Sequence, residues 1–581
     1  MNFKFGLENE SYKYSYNKEP RFENNCLTLS AAKRDWAAFQ VLIKGKEDFS
    51  LSVGNNAFFS HRGNITSLRI EVCVKGFSET SISMNHIGLI KDDDGVEKAD
   101  LLLNQETVHV KAGKVQSVWV EIRVPANKKA GKYEGQVKIY SHRMFEEEKL
   151  IEILSFELFV KEVILPKPRK YQFYLDLWQH VSNIARKHEV RLWSNEHFRV
   201  LKEYVKSLAN LGQKAITVIV SEIPWSGQRC YKNTQYPSDL FEYSMVRVFK
   251  NQDGSFEYDF SIVEKYISLC AKNGIFSEIE VFGLTNIWSF PEDGYGKVAQ
   301  DFPDAIRIRY LDRKDGCYKY MTSGDDIKSY IKALEKFFID KGLIHKVRII
   351  ADEPADAEHY REVMGILKSV APSFKYKTAI NHAEFIGEFK DSINDFVPGL
   401  DCVCYQWNLL EKMRGSIKGR LMWYVCCAPK FPNTFISSHL LECRLIGILT
   451  AFIKFDGFLR WSYTVWPEDP RKQISFNYPA WPAGDTNFVY PANNGKPLLT
   501  LRYKNLKRGI EDFELIWMLR EKTNNSDEIL QKYWSYVLRT ETIKEFDPNE
   551  QKKPEDLYSL RYEDYSKFKN AVLDELEKLS G

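Results

Sequence analysis

The two prolines of Leu165-Pro166-Lys167-Pro168 separate two patterns of apolar residues that no single kind of fold accommodates. Before them, from Leu27 to Val160, the period is two. Leu68, Ile70, Val72 and Val74 alternate with Arg69, Glu71 and Cys73, and Val118, Val120, Ile122 and Val124 alternate with Trp119, Glu121 and Arg123. Such runs predict strands with one face on a core and the other towards solvent. Turn signals at Gly54-Asn55-Asn56, Asp92-Asp93-Asp94-Gly95 and Lys128-Lys129-Ala130-Gly131 divide them at antiparallel spacing. The expected product is an all-β sandwich over residues 1–165. The double-proline segment then favours an extended, stiff connector.

After Pro168, short apolar strands alternate with helices. Tyr171 to Leu177 reads as a strand, followed by a helix that Ser194 caps and Gly212 closes, with Phe198, Leu201, Val205 and Leu208 on one face. Strands are expected at Ala215–Val220, Phe276–Phe282, Val347–Ala351, Tyr376–Ile380, Cys402–Tyr405, Leu421–Cys426 and Gly457–Tyr463, with helices at Phe260–Lys272 and Asp325–Asp340 among them. Eight such units over residues 166–525 predict a (β/α)8 TIM barrel as the catalytic domain, closed by a helix from Tyr503 to Arg520. A polar, mostly helical extension completes the chain from 526 to 581. No Gly-x-Gly-x-x-Gly follows the first strand, which weakens a dinucleotide-binding reading.

Composition narrows the function. The 581 residues carry 82 Lys+Arg against 79 Asp+Glu, a formal charge of +3, so nothing in the bulk composition points to nucleic acid or an anionic membrane. The longest apolar stretch, Leu445 to Ile453, is too short to span a bilayer, and no signal-peptide core follows Met1, which leads us to expect a cytoplasmic protein without membrane insertion. The ten cysteines lack the spacing of a disulfide framework or a zinc site. The pairs Cys402/Cys404 and Cys426/Cys427 have no matched partner pair, so neither metal nor cofactor is expected. Aromatic content is high, at 14%. Flat rings serve as core filler or as stacking surfaces for sugars.

In a barrel the chemistry lies at the C-terminal strand ends. The strand Val347-Arg348-Ile349-Ile350-Ala351 runs into Asp352-Glu353-Pro354. Two carboxylates in a partly dry pocket push their pKa values apart, which suits acid/base cleavage of a glycosidic bond. The plainer reading is a solvated loop that caps the next helix near Asp356. The other strand ends carry Asp176, Trp178 and His180; Asn381 and His382; Tyr405 and Trp407; Tyr424; and Arg460, Trp461, Tyr463 and Trp466. Aromatic rings beside amides, His and Arg make a sugar-binding surface, although any one of these rings is more often core. After the third strand, Trp288, Phe290 and Glu292-Asp293-Gly294 would add a substrate wall.

Four segments in register resemble glycoside hydrolase family 123. They are Leu29 to Val41, Asp176 to His180, Asp352-Glu353-Pro354 and Leu501 to Asp512. The resemblance implies a retaining, exo-acting β-N-acetylgalactosaminidase acting on β-GalNAc-terminated glycans or glycolipids, in which the substrate's own acetamido oxygen attacks the anomeric carbon and forms an oxazoline. Glu353 would be the acid/base. Asp352 would hold the acetamido N–H, and Tyr405, Tyr424 or Tyr463 would orient its carbonyl. The sugar hydroxyls would fall to Asp176, Trp178, Asn381, His382 and Arg460. Two other readings stay open: a β-glycosidase with an enzymic nucleophile such as Asp176, Glu222 or Glu280, and a carbohydrate-binding protein that does not hydrolyse.

Overall fold

A computed structural model describes residues 2–580 apart from 24–25, 55–64, 145, 225–240, 286–290, 292–295, 468, 473–474 and 476–477. The expected turn at Asn55-Asn56 and the expected wall of Trp288, Phe290 and Glu292 to Gly294 lie outside the described residues.

Up to Ile164 the described chain is strand after strand, interrupted by a single 3-10 turn, Glu79–Ser81. Phe3–Asn9, Trp36–Gly45, Val115–Arg123, Ile82–Lys91 and Glu97–Leu103 form one antiparallel sheet in that order. Cys26–Lys33, Lys149–Ile164, Gly131–His142, Thr66–Val74, Phe49–Val53 and Thr107–Val110 form a second, six-stranded sheet. The period-two residues meet between them. Val118, Val120 and Ile122 of the first sheet share a core with Leu68, Ile70 and Val72 of the second, and Phe39 lies 4.7 Å from Phe156, ring centre to ring centre.

The far face of the first sheet departs from the sequence expectation. Trp119, expected to face solvent, packs with Trp36 against Leu440 and Leu501 of the second half. An aromatic ring among charged neighbours marks a buried interface here, which burial in two directions permits.

The second half places eight parallel strands among the described residues. Ala215–Ile219, Glu278–Phe282, Val347–Asp352, Lys375–Ile380 and Asp395–Pro398 form one sheet, and Tyr174–Leu177, Gly457–Arg460 and Met422–Tyr424 another. Parallel bridges tie their outer strands: Leu175 to Gln213 on one side, Phe396 to Leu421 and Gly399 to Tyr424 on the other. Helices lie between the strands. The helix Asn195–Leu211 begins where Ser194 Oγ accepts the His197 N–H and ends at Gly212, whose φ of +87° a side chain would strain.

One expected strand is a helix. Cys402–Tyr405 belongs to the helix Leu400–Tyr405, and the sixth strand is Asp395–Pro398. The run Cys-Val-Cys is apolar because this short helix is wedged into the core, with Cys402, Val403 and Cys404 all buried. A short apolar run does not distinguish a strand from a buried helix.

The long helix Leu501–Lys522 crosses Leu440–Phe452 at two glycines. A Cβ on Gly447 would sit 1.8 Å from the Gly509 carbonyl oxygen. The same long helix fastens the two halves. Arg502 pairs with Asp100 at 3.0 Å, Arg508 with Asp35 at 2.8 Å and Glu10 at 3.0 Å, and Lys504 with Glu121 at 2.5 Å. The C-terminal helix Tyr562–Lys578 reaches back to the first half through Lys569 on Asp35 and Asp574 on Lys161. No helix among the described residues is long and apolar enough to cross a membrane.

Candidate active site

The strand Val347–Asp352 buries Val347, Ile349, Ile350 and Ala351, and its last residue, Asp352, is half-buried. A regular strand would point Asp352 and Glu353 to opposite sides. Glu353 breaks the pleat with a φ of +47°, a left-handed conformation that costs a non-glycine residue about 1–3 kcal/mol. Its N–H donates to the Ala379 carbonyl at 3.1 Å, so the neighbouring strand holds the turn in place. Helix capping is done two residues beyond Pro354: the Asp356 carboxylate accepts the Glu358 and His359 N–H groups at 2.9 and 3.0 Å. The capping role considered for the carboxylate pair therefore falls to Asp356.

The Tyr424 hydroxyl, from the end of the Met422–Tyr424 strand, donates a short hydrogen bond to the Glu353 carboxylate. Asp352 also lies within electrostatic range of that hydroxyl. Gly399 makes the room: a Cβ there would stand 3.0 Å from the Tyr424 ring and hydroxyl. Burial raises the Glu353 pKa above the ordinary carboxylate value and the bond from Tyr424 lowers it, with burial prevailing. Asp401, on the short helix after Gly399, is not among the sequence candidates: with the sixth strand expected at Cys402–Tyr405 it falls before the strand and not at its C-terminal end. Burial raises its pKa, and the charges of Asp547 and Glu353 add to the effect.

The remaining candidates divide. Asn381 and His382 are exposed at the end of the Lys375–Ile380 strand. Trp178 is buried, edge-on to Phe282 at 5.0 Å, and its indole N–H has no partner among the described residues. His180 is buried edge-on to Trp461 at 6.2 Å, and burial pushes its imidazole down to about 3, so it is neutral at ordinary pH.

Five candidates are placed elsewhere than expected. Asp176 is an interior counter-ion: Lys377 Nζ stands 2.5 Å from it, 2.7 Å from Glu280 and 3.1 Å from Glu278, with all four side chains 2% exposed or less. A buried ammonium demands such partners. Arg460 is fully buried on Asp485 at 2.7 Å and on the Val425 carbonyl at 3.1 Å. The Tyr463 hydroxyl hydrogen-bonds Ser207 at 2.7 Å in the helix Asn195–Leu211, away from Glu353. Trp407 stacks on Phe455, which precedes the last strand, so it lies towards the opposite strand ends. Tyr405 is 52% exposed, with its hydroxyl turned to Asp547. Trp466 is buried as well, bonded to the Val489 carbonyl. Glu222 accepts from Tyr320 at 2.6 Å and from Arg309 at 2.7 Å and is 1% exposed.

Among the described residues no group of three His, Cys, Asp or Glu side chains could hold a metal ion. The arrangement at Glu353 can donate a proton from a half-buried acid and receive it back, with a second carboxylate at hand.

A family model described as the glycoside hydrolase 123 catalytic domain matches residues 178–519, and one described as the glycoside hydrolase 123 N-terminal domain matches residues 5–141. Among solved structures, a family 123 glycoside hydrolase from Clostridium perfringens, described in connection with glycolipid glycan hydrolysis, has a TM-score of 0.75 at 18% identity. That match covers 99% of this chain and 97% of the other, and it shows a common fold. A cyclomaltodextrinase, at 11% identity over 78% of this chain and 82% of its own, has a TM-score of 0.30, too low to carry an argument. No curated protein matches.

Proposed function

The chain belongs to glycoside hydrolase family 123, and from that membership and the setting of Glu353 we propose that it is a retaining, exo-acting β-N-acetylgalactosaminidase that uses the substrate's acetamido group as nucleophile. The observation that carries the proposal is Glu353 itself. It is an acid with a raised pKa, turned out of its strand by a left-handed residue, held by Tyr424 and adjacent to a second carboxylate.

In this reading Glu353 gives its proton to the glycosidic oxygen as the C1–O bond breaks. The acetamido oxygen closes on C1, and Asp352 accepts the acetamido N–H and stabilises the positive charge of the oxazoline. Glu353, now a carboxylate, takes a proton from the water that reopens the ring. Tyr424 serves the acid directly, and Asn381, His382, Trp178 and His180 are the proposed sugar contacts. The alternative nucleophiles support the reading by where they sit: Asp176 and Glu280 are sealed around Lys377, and Glu222 is engaged by Arg309 and Tyr320. The substrate we propose is a β-GalNAc-terminated glycan or glycolipid.

The finer architecture proposed with this function is a closed (β/α)8 barrel over 166–525, a β-sandwich over 1–165 and a helical extension over 526–581. The parallel bridges that tie the outer strands of both sheets support the closure.

Paired chromogenic β-GalNAc and β-GlcNAc substrates test the specificity. Faster turnover of the first, β-configured product by proton NMR and strong inhibition by a thiazoline analogue are expected. Glu353→Gln should lower kcat by about 10²–10⁴-fold on substrates with poor leaving groups, and Asp352→Asn should cripple turnover that relies on the acetamido group. A covalent glycosyl-enzyme, or sugar binding with no release of aglycone, would overturn the mechanism.

A further inference from the structure

Beyond Tyr424 the chain continues Val425-Cys426-Cys427-Ala428-Pro429. Adjacent cysteines on a regular strand point to opposite faces, which keeps their sulfurs apart. Here the strand has ended, and the two Sγ atoms stand 3.8 Å from each other. Both residues are half-buried, whereas Cys402, Cys404 and Cys443 are sealed in the core. The hydrogen bond with Cys427, and then burial, push the Cys426 thiol well above its usual range, which favours its protonated form.

The surrounding backbone leads to the candidate active site. The Cys426 N–H donates to the Ala428 carbonyl at 3.1 Å, and the Cys426 carbonyl accepts from Asn433 Nδ2 at 3.0 Å. Arg460 holds the Val425 carbonyl. Two residues before Cys426 is Tyr424, whose hydroxyl is on Glu353, and the Cys426 sulfur lies within electrostatic range of both.

We propose that Cys426 and Cys427 are a dithiol site which a small-molecule disulfide, such as oxidised glutathione, closes reversibly to a vicinal disulfide, and that closure pulls Tyr424 off Glu353 and lowers turnover. The thiolate of Cys427 attacks one sulfur of the small disulfide and expels one thiolate. The Cys426 thiol then gives up its proton to that thiolate and attacks Cys427 Sγ, expelling the second. Two protein S–H groups become one S–S bond, and one oxidised glutathione becomes two thiols.

Neighbouring Cα atoms are about 3.8 Å apart, shorter than the roughly 4.4–6.8 Å an unstrained disulfide spans. The ring therefore closes only if the peptide between the two residues turns, which withdraws the Cys426 carbonyl from Asn433 or its N–H from Ala428. Strained disulfides of this kind are readily reduced, which suits a switch rather than a staple. The effect on turnover rests on the reading of Glu353; the dithiol site does not.

The full-length protein is incubated with oxidised glutathione, alkylated and digested with trypsin, which leaves both cysteines in the peptide Leu421–Lys430. The expected peptide carries no alkyl group and is two hydrogens lighter. Turnover of a chromogenic β-N-acetylgalactosaminide by the same sample falls several-fold and returns with dithiothreitol, and Cys427→Ser is indifferent to the oxidant. A doubly alkylated peptide, a persistent glutathione adduct, or a closed disulfide with unchanged turnover would each overturn the proposal. A reduced sample that is inactive on the substrate would instead count against the proposed function, while the peptide mass still decides the site.

Discussion

A glutamate in the left-handed region next to an aspartate is costly to hold, and the fold pays for it locally through the Ala379 carbonyl and the Tyr424 hydroxyl. The two influences on Glu353 oppose each other. Burial favours the protonated acid, whereas the hydrogen bond from Tyr424 favours the carboxylate. In the proposed reaction the active form is the protonated acid, so activity is present below the raised pKa and lost as pH rises through it. Tyr424→Phe removes the lowering influence alone. The basic limb of kcat/KM against pH should therefore move to higher pH, and kcat should fall at the optimum; a limb that stays or moves down would show that Tyr424 does not act on Glu353. The carboxylate pair was legible in the sequence because an apolar strand that runs into two acids and a proline has few other uses. The partner was not singled out, since Tyr405, Tyr424 and Tyr463 differ only in where their rings point, and a ring's direction depends on the strand register, which local pattern does not encode.

At the scale of elements, the helix Leu501–Lys522 carries more than its sequence suggests. Leu506, Ile510, Phe513 and Trp517 at helical spacing predict a packing helix. Arg502, Lys504 and Arg508 are buried too, because they answer Asp100, Glu121, Asp35 and Glu10 across the chain. Long-range ion pairing leaves no local signature, so this role was only half visible. The crossing of this helix over Leu440–Phe452 is set by absence of side chains. Gly447→Ala would place a methyl 1.8 Å from a main-chain oxygen, and no rotamer can relieve a clash with backbone. The helices must separate, at a cost of about 1–3 kcal/mol or more, read as a lower midpoint in urea unfolding. An unchanged midpoint would mean that the crossing is looser than described. The helix at Leu400–Tyr405 shows the opposite failure of pattern, where burial of the whole run Cys402-Val403-Cys404 erased the periodicity that would have told a helix from a strand.

For the whole molecule, the question is whether the N-terminal sheets are a separable sugar-binding module or part of the body that holds the active site. Burial decides between these. Trp36 and Trp119 pack on Leu440 and Leu501, and the Trp36 indole N–H donates to Glu511 at 2.8 Å. Arg502 and Arg508 are 2% exposed or less and take Asp100, Asp35 and Glu10 from the first half as counter-ions. Removing one partner of a buried pair costs about 3–5 kcal/mol, while an entire domain is stable by only about 5–15 kcal/mol. A chain reduced to 166–581 loses three such carboxylates at once and exposes the apolar face around Leu440 and Leu501. It should therefore show no cooperative thermal transition and no glycosidase activity. The single substitution Asp100→Ala, which strands Arg502 alone, should keep the fold with a lowered Tm. A soluble, cooperatively unfolding 166–581 fragment with native turnover would make the first half a dispensable module and overturn this account.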